Sequence, residues 1–355
     1  MGNWRDNIRN IEPYVPGEQP DFKDMIKLNT NENPYPPSPK VVSTLNSFNS
    51  DTLRLYPDLD SKLLVDALAG YYNVDSNQVF VGVGSDDVLA MAFMAFFNSN
   101  KPILFPDITY SFYNVWAELF GIPYERPELD DDFKIKAEDY YRENGGVVIA
   151  NPNAPTGVLQ DEKFLRDIIE HNRDVVVIID EAYIDFGGLS ALFLTKEYDN
   201  VLIIGTYSKS RSLAGMRIGY AFGNKELISA MNDVRFSYNS YPMTRLSVAL
   251  GAAAIEDDKY FKENIQKIIN TREWTKKELK RLGFKFENSM TNFIFAAHDN
   301  VRADKIFDEL KKRHIFVRYF NVPRIDNYLR ISIGTDKEME YFISELEKIL
   351  ESDIM

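Results

Sequence analysis

Two short apolar runs in this chain end in residues that could do chemistry together. "DVVVIIDEAY" places Asp180 and Glu181 at the close of one run. "NVLIIGTYSK" places Lys209 at the close of the next, twenty-nine residues on. A lysine amine that loses its charge can form an imine with an aldehyde, and it can afterwards carry a proton. A carboxylate held against a heteroaromatic nitrogen keeps that nitrogen protonated, so the ring can accept electrons from a bond broken beside it. Lys209 also has a hydroxyl and a cation in its own segment, "SKSRSLAGMRIGY", at Ser208 and Arg217. Earlier, "GVGSDD" reads as the start of a helix at Ser85-Asp86-Asp87. Its free backbone N–H groups and positive dipole end suit a phosphate.

Taken singly, each of these signals is weak. A lone lysine in a loop is most often a solvated surface group. "GVGSDD" fits an ordinary helix start, with Ser85 or an aspartate as its cap, equally well. It fails the dinucleotide-binding fingerprint, whose last position is Asp87 here rather than glycine. An apolar strand ending in Asp-Glu also resembles the magnesium strand of ATPases, but the chain has no G-x-x-x-x-G-K-[ST] loop to accompany it. Together, an imine-forming lysine, a ring-facing carboxylate and phosphate donors are the requirements of pyridoxal 5′-phosphate (PLP).

The elements that must hold these residues are legible as an α/β pattern. "KPILFPD", "GGVVIANP" and the two runs above are apolar throughout rather than alternating, as parallel strands buried on both faces require. Helix-like segments such as "SKLLVDALAGYY" alternate with them. Residues 41–245 therefore read as a large α/β domain with a mainly parallel sheet and helices on both faces. In such sheets ligands bind at the carboxyl ends of the strands, where Asp180 and Lys209 fall. Residues 246–355 read as a bridging helix, "YFKENIQKIINTREWTKKELKRLGF", and a small α+β domain. That domain would hold helices at 303–313 and 337–351 and a strand "IFVRYF". Residues 1–40, rich in proline and asparagine, read as an arm partly joining the small domain.

Composition excludes several functions. The net charge of −13 opposes a nucleic-acid partner. The absence of cysteine removes disulfides, thiolate metal sites and cysteine nucleophiles, and the three histidines lack metal-ligand spacing, so no metal is expected. No apolar stretch approaches the length of a membrane span, and the expectation is a soluble cytoplasmic protein.

The motifs "GVGSDD", "NPNAPTG", "DEAY" and "SKSRSLAGMRIGY", in this order, resemble those of the fold-type-I PLP-dependent enzymes, the aspartate aminotransferase superfamily. Within it, "LNTNENP", "LRLYPD" and "VRYFNVPRIDNYLRISIGTDKEM" look most like the histidinol-phosphate aminotransferase branch. The resemblance implies the PLP fold type I. It makes Lys209 the catalytic, cofactor-bearing lysine, Asp180 the partner of the pyridine nitrogen and Tyr183 a donor to the ring oxygen. Tyr110 would stack on the ring, although core packing is the ordinary role of a tyrosine. Ser208, Arg217 and the amides of Ser85 and Asp86 would hold the cofactor phosphate. Tyr56 would reach the cofactor of a neighbouring subunit, making the protein a homodimer with a shared active site. The chain departs from the family pattern at Ala154, where an asparagine is usual; Asn153, one residue earlier, is the side chain expected to serve the ring oxygen. Arg211 adds a charge for which neither the residues nor the resemblance supplies a role.

For the substrate, the resemblance assigns Arg330 and Arg318 to an anionic group and Tyr14 to the same pocket, with the arm as a lid. Two converging arginines suit a phosphate. The function implied is transfer of an amino group from L-histidinol phosphate to 2-oxoglutarate in L-histidine biosynthesis. The alternatives are a threonine-phosphate decarboxylase or an aromatic amino acid aminotransferase of the same superfamily. A PLP-binding regulator and a nucleotide-binding module are disfavoured, the first by the missing room for a DNA-binding domain and the second by the missing phosphate loops.

Overall fold

The computed structural model describes residues 3–14, 17–21 and 24–354, with side chains through 351. In chain order the strands are β1 (Ile26–Lys27), β2 (Val79–Gly82), β3 (Ile103–Leu104), β4 (Tyr124–Glu125), β5 (Gly146–Ala150), β6 (Val177–Asp180) and β7 (Val201–Thr206). There follow β8 (Gly219–Gly223), β9 (Phe284–Phe286), β10 (Phe293–His298), β11 (Ile315–Phe316), β12 (Arg318–Tyr319) and β13 (Leu329–Ser332). Strands β2 to β8 form one seven-stranded sheet in the order β2-β8-β7-β6-β5-β3-β4.

The centre of that sheet follows from its sequence. β5, β6 and β7 run parallel, with Ile149 beside Ile179 and Ile179 beside Ile203. Every residue of the three strands is buried. Successive side chains leave by opposite faces, as a pleated strand requires. Val147, Ile149, Ile179 and Ile203 join one apolar cluster, while Val148, Ile178, Leu202 and Ile204 join another beneath the helix Ser85–Phe96. Each such side chain contributes roughly 1.5–3 kcal/mol by leaving water, which is why these runs carry no polar residue until they end.

One strand was hidden in the lysine segment. β8 pairs antiparallel with both β7 and β2, so it interrupts the otherwise parallel order. Its first residue, Gly219, lies so close to the turn before the helix that a Cβ there would come within 2.2 Å of the Gly84 carbonyl carbon. A glycine at that close approach is the local signal for the strand.

The second sheet is antiparallel, in the order β12-β13-β10-β9. It shares a core with the helices Ala303–Lys312 and Asp336–Ile354, through Phe293, Ile306, Ile331 and Phe342. The long helix Asp258–Arg281 packs on the same core through Ile265, Ile268 and Leu279. The expected strand "IFVRYF" divides in two. Ile315–Phe316 pairs in parallel with Ile26–Lys27, and Arg318–Tyr319 pairs with β13. Residues 26–31 thus lie against the smaller sheet, with Leu28, Asn29 and Asn31 buried. Among the described residues no helix is long and apolar enough to cross a membrane, and no cluster of histidine, aspartate and glutamate could hold a metal ion.

Candidate active site

Asp180 is the last residue of β6 and is buried. Its Oδ2 accepts from the Tyr113 hydroxyl at 2.8 Å and its Oδ1 from the Ala182 N–H at 3.1 Å. Burial pushes the carboxyl up to about 6, and the two donated bonds pull against that rise. A cationic partner would restore the carboxylate fully. Tyr113 lies in the first turn of the helix Phe112–Phe120, and sequence reasoning passed over it; Tyr110 precedes that helix and meets the Tyr113 ring edge to face at 5.7 Å.

The phosphate end is built around the helix Ser85–Phe96. Its cap is Gly84, at φ 85°, and Ser85 is the first helical residue rather than the cap. The N-cap Gly84 has no side chain with which to cap the helix start, which leaves its first N–H groups available to an anion. A side chain at Gly84 is disfavoured by its φ of 85°, and its Cβ would in addition displace the Arg217 guanidinium, 2.5 Å away at Nη2. Arg217 donates to Ser208 Oγ at 3.4 Å and pairs with Asp86 Oδ2 at 3.0 Å. Tyr110 donates to the other oxygen of Asp86 at 2.7 Å. Arg217 itself is held at φ 51°, a left-handed conformation that a non-glycine residue adopts only under constraint. Ser85, Asp86, Tyr110, Ser208 and Arg217 are thus brought together, and two cradles closed to a Cβ, Gly84 and Gly219, line the same turn. A phosphate fits these donors.

Lys209 follows β7 and Nζ donates to the Thr30 carbonyl at 3.2 Å, with its ammonium 5.7 Å from the Tyr183 ring centroid. Thr30 belongs to "LNTNENP", and that segment touches the site throughout. Asn33 Nδ2 donates to the carbonyls of Lys209 and Ser210, both at 3.1 Å. Arg330 donates to the Asn29 carbonyl at 3.0 Å, and Asn31 Nδ2 to the Tyr183 hydroxyl at 2.9 Å. These contacts were missed from sequence. Five consecutive polar residues, Asn29 to Asn33, set beside a short strand, were the available sign.

Arg211 turns away from the lysine. Its guanidinium is buried against Phe261, Tyr71 and Tyr207, at 4.0, 5.2 and 5.6 Å from the ring centroids. It donates to the Ala254 carbonyl at 2.8 Å, in the last turn of the helix Arg245–Glu256, where the dipole favours a cation. The unplaced charge is therefore a packing and helix-capping group.

Arg318 and Arg330 are direct cross-strand neighbours on β12 and β13. Both guanidiniums lie near the Phe320 ring, at 5.4 and 5.6 Å from its centroid. Arg330 Nε is buried with no hydrogen-bond partner among the described residues, and burial draws its guanidinium below the ordinary arginine value. Like charges directly opposite on antiparallel strands repel, and an anion between them removes that cost. With Tyr14 and Tyr110 they line a cavity of about 470 Å³. Tyr14 stacks on Phe112 at 4.3 Å, which draws the arm over the cavity.

Asn153 and Tyr56 stand apart from this cavity lining. Asn153 donates one amide proton within its own turn, to Thr156 Oγ1 at 3.1 Å, and one across to the Ile108 carbonyl at 2.9 Å, while Oδ1 accepts from Thr109. Both amide protons are engaged within the protein here, and Asn153 ties the turn after β5 to the Ile108–Thr109 segment. Tyr56 lies outside the cavity, 77% exposed, with its ring 4.9 Å from that of Tyr241.

The family model for aminotransferase class I and II matches residues 23–346. The histidinol-phosphate aminotransferase of Clostridium beijerinckii is 52% identical over 350 residues, covering 99% of this chain and 98% of the relative. That of Lactococcus lactis subsp. cremoris is 49% identical over 350 residues, again with 99% and 98% covered. Among solved structures, the histidinol-phosphate aminotransferase of Sinorhizobium meliloti in complex with pyridoxal-5'-phosphate superposes with a TM-score of 0.82 at 26% identity, over 92% of this chain and 91% of that one.

Proposed function

Because the chain belongs to the class I and II aminotransferase family, and within it to the histidinol-phosphate aminotransferases, we propose that it moves the amino group of L-histidinol phosphate to 2-oxoglutarate. The products are imidazole acetol phosphate and glutamate, a step of L-histidine biosynthesis. The observation that carries the substrate is the cross-strand pair Arg318–Arg330, both lining a cavity that Tyr14 also lines, with Arg330 Nε buried and without a partner among the described residues. Two adjacent guanidiniums can take a phosphate or, in the second half-reaction, a carboxylate of 2-oxoglutarate.

The large sheet with its helices and the smaller antiparallel sheet form a PLP-dependent transferase of fold type I. We read residues 41–245 as the cofactor-binding domain, 246–355 as the small domain and 1–40 as the arm. PLP, when bound, supplies an aldehyde that holds the substrate amine and a ring that accepts the electrons of the broken Cα–H bond. Lys209 Nζ would anchor it and, released by the incoming amine, take the proton from the substrate Cα. Asp180 would keep the ring nitrogen protonated, a task that suits a carboxylate buried beside only neutral donors. Ser208, Arg217 and the N–H groups of Ser85 and Asp86 would bind the cofactor phosphate. Tyr110 would lie on the ring and Tyr183 would donate to its oxygen. Tyr14 and the arm would exclude water while the proton moves.

A homodimer in the cytoplasm completes the reading. Leu53, Tyr56, Leu63 and Tyr238 are exposed at 63%, 77%, 57% and 72%, an apolar surface suited to a second copy. Arg245 fixes the loop by donating to the carbonyls of Leu55 and Tyr56, which leaves the Tyr56 ring outward for the neighbour's cofactor. The test is kcat/KM for L-histidinol phosphate, phenylalanine, tyrosine and threonine phosphate, with glutamate and carbon dioxide both measured. Histidinol phosphate should lead by at least an order of magnitude with no carbon dioxide released. A lead by threonine phosphate with decarboxylation would replace this reading.

A further inference from the structure

We propose that Asn31 is a positioning residue that fixes the Tyr183 hydroxyl as a hydrogen-bond donor toward the cofactor. The inference rests on the reading of Tyr183 as donor to the ring oxygen. Asn31 Nδ2 donates to the Tyr183 oxygen at 2.9 Å, and Asn31 is the one partner of that hydroxyl among the described residues. A phenol whose oxygen already accepts a bond keeps its own proton for another acceptor.

The amide is held in this sense. Ser332 Oγ donates to Asn31 Oδ1 at 2.9 Å and accepts from the Asn31 backbone N–H at 3.0 Å. Turning the amide over would leave the Ser332 hydroxyl proton without an acceptor among the described residues. Asn31 and Ser332 are 1% and 2% exposed, so no bulk water could compensate. Asn292 Nδ2, also fully buried, donates to the Asn31 carbonyl at 3.0 Å. The backbone of Asn31 sits at φ 56°, in the left-handed region, which costs any residue but glycine. Three buried hydrogen bonds from the smaller sheet keep one residue in a strained conformation, and its remaining group reaches Tyr183 at the end of the larger sheet. The bond therefore makes the donor direction of Tyr183 depend on how the two sheets are seated.

A donor to the ring oxygen draws off its negative charge and loosens its hold on the proton it shares with the Lys209 nitrogen. Losing the donor lets that proton stay to higher pH. The experiment is a pH titration of the visible absorption of the PLP-loaded enzyme for the wild type, Y183F, N31G, S332A and the doubles Y183F/N31G and Y183F/S332A. Glycine accepts the left-handed backbone, and both Asn31 and Ser332 changes are uncharged; thermal melting reports whether each protein is folded. Y183F should raise the midpoint by about one unit, the worth of one charge-assisted hydrogen bond. N31G and S332A should each raise it part of the way, and neither should add to Y183F. If Y183F shifts the midpoint while N31G and S332A leave it at the wild-type value, or if their shifts add to that of Y183F, the role of Asn31 is refuted. If Y183F itself leaves the midpoint unmoved, the assignment of Tyr183 fails and this inference with it.

Discussion

At the scale of the residue, Asp180 shows how the site works against the fold. Burial disfavours its charge and pushes the carboxyl from an ordinary 3.8 up to about 6. A raised acid constant means that the penalty is absent below pH 3.8, grows as pH rises toward 6, and is complete above it. Asp180→Asn removes that charge with little change of shape. The cofactor-free variant should therefore melt higher than the wild type at pH 8, by up to roughly 2–3 kcal/mol, and equal to it near pH 4. The same variant, loaded with PLP, should lose activity by at least about 100-fold. Calorimetry at the two pH values, with a rate assay, checks both halves. Arg330→Ala should weaken the phosphate substrate by about 2–4 kcal/mol, read in kcat/KM, because Arg318 alone cannot fork around the anion. Lys209, Asp180 and Arg217 were legible because each stands just past an apolar run or within a turn of glycine and small residues. Tyr113 and Asn31 were not: what singles them out is a partner 67 or 152 positions away in the chain.

At the scale of the element, the continuous apolar runs of β5, β6 and β7 were readable because burial on both faces leaves no room for polar alternation. β8 was not, since "GYAFG" is short and its burial depends on its neighbours. The segment "LNTNENP" looked like an arm because asparagine and proline disfavour regular structure, yet Asn31 is bonded to Ser332 and Asn292, and Asn33 to the lysine loop. Arg211 belongs to this scale too. Its charge is buried with one carbonyl and three aromatic faces, and Nη2 has no partner among the described residues. Replacement by a flexible apolar side chain of similar length should be nearly neutral, whereas truncation leaves a cavity beside the lysine loop. Denaturant titration should find Arg211→Met within about 1 kcal/mol of wild type and Arg211→Ala lower by about 2–4 kcal/mol.

At the scale of the whole molecule, the active site described by one chain lacks the residue read as its neighbour's contribution. Tyr56 is exposed and turned from its own cavity. Composition and periodicity mark no shared site; only the resemblance carried by "LRLYPD" singled Tyr56 out, and its exposure acquires meaning beside a folded surface. If Tyr56 serves the partner, a mixed dimer of Lys209→Ala and Tyr56→Ala chains holds one intact site. Co-refolding the two should restore tight PLP binding to about one site per mixed dimer, and unmixed Tyr56→Ala should bind it more weakly by about 1–2 kcal/mol. The central claim, that Lys209 and Asp180 serve amino-group transfer from a phosphorylated amine, is tested most directly by the half-reaction. PLP-loaded protein should lose its visible absorption on adding L-histidinol phosphate alone and regain it on adding 2-oxoglutarate, with one glutamate formed per site. An absorption unchanged by histidinol phosphate would contradict the account.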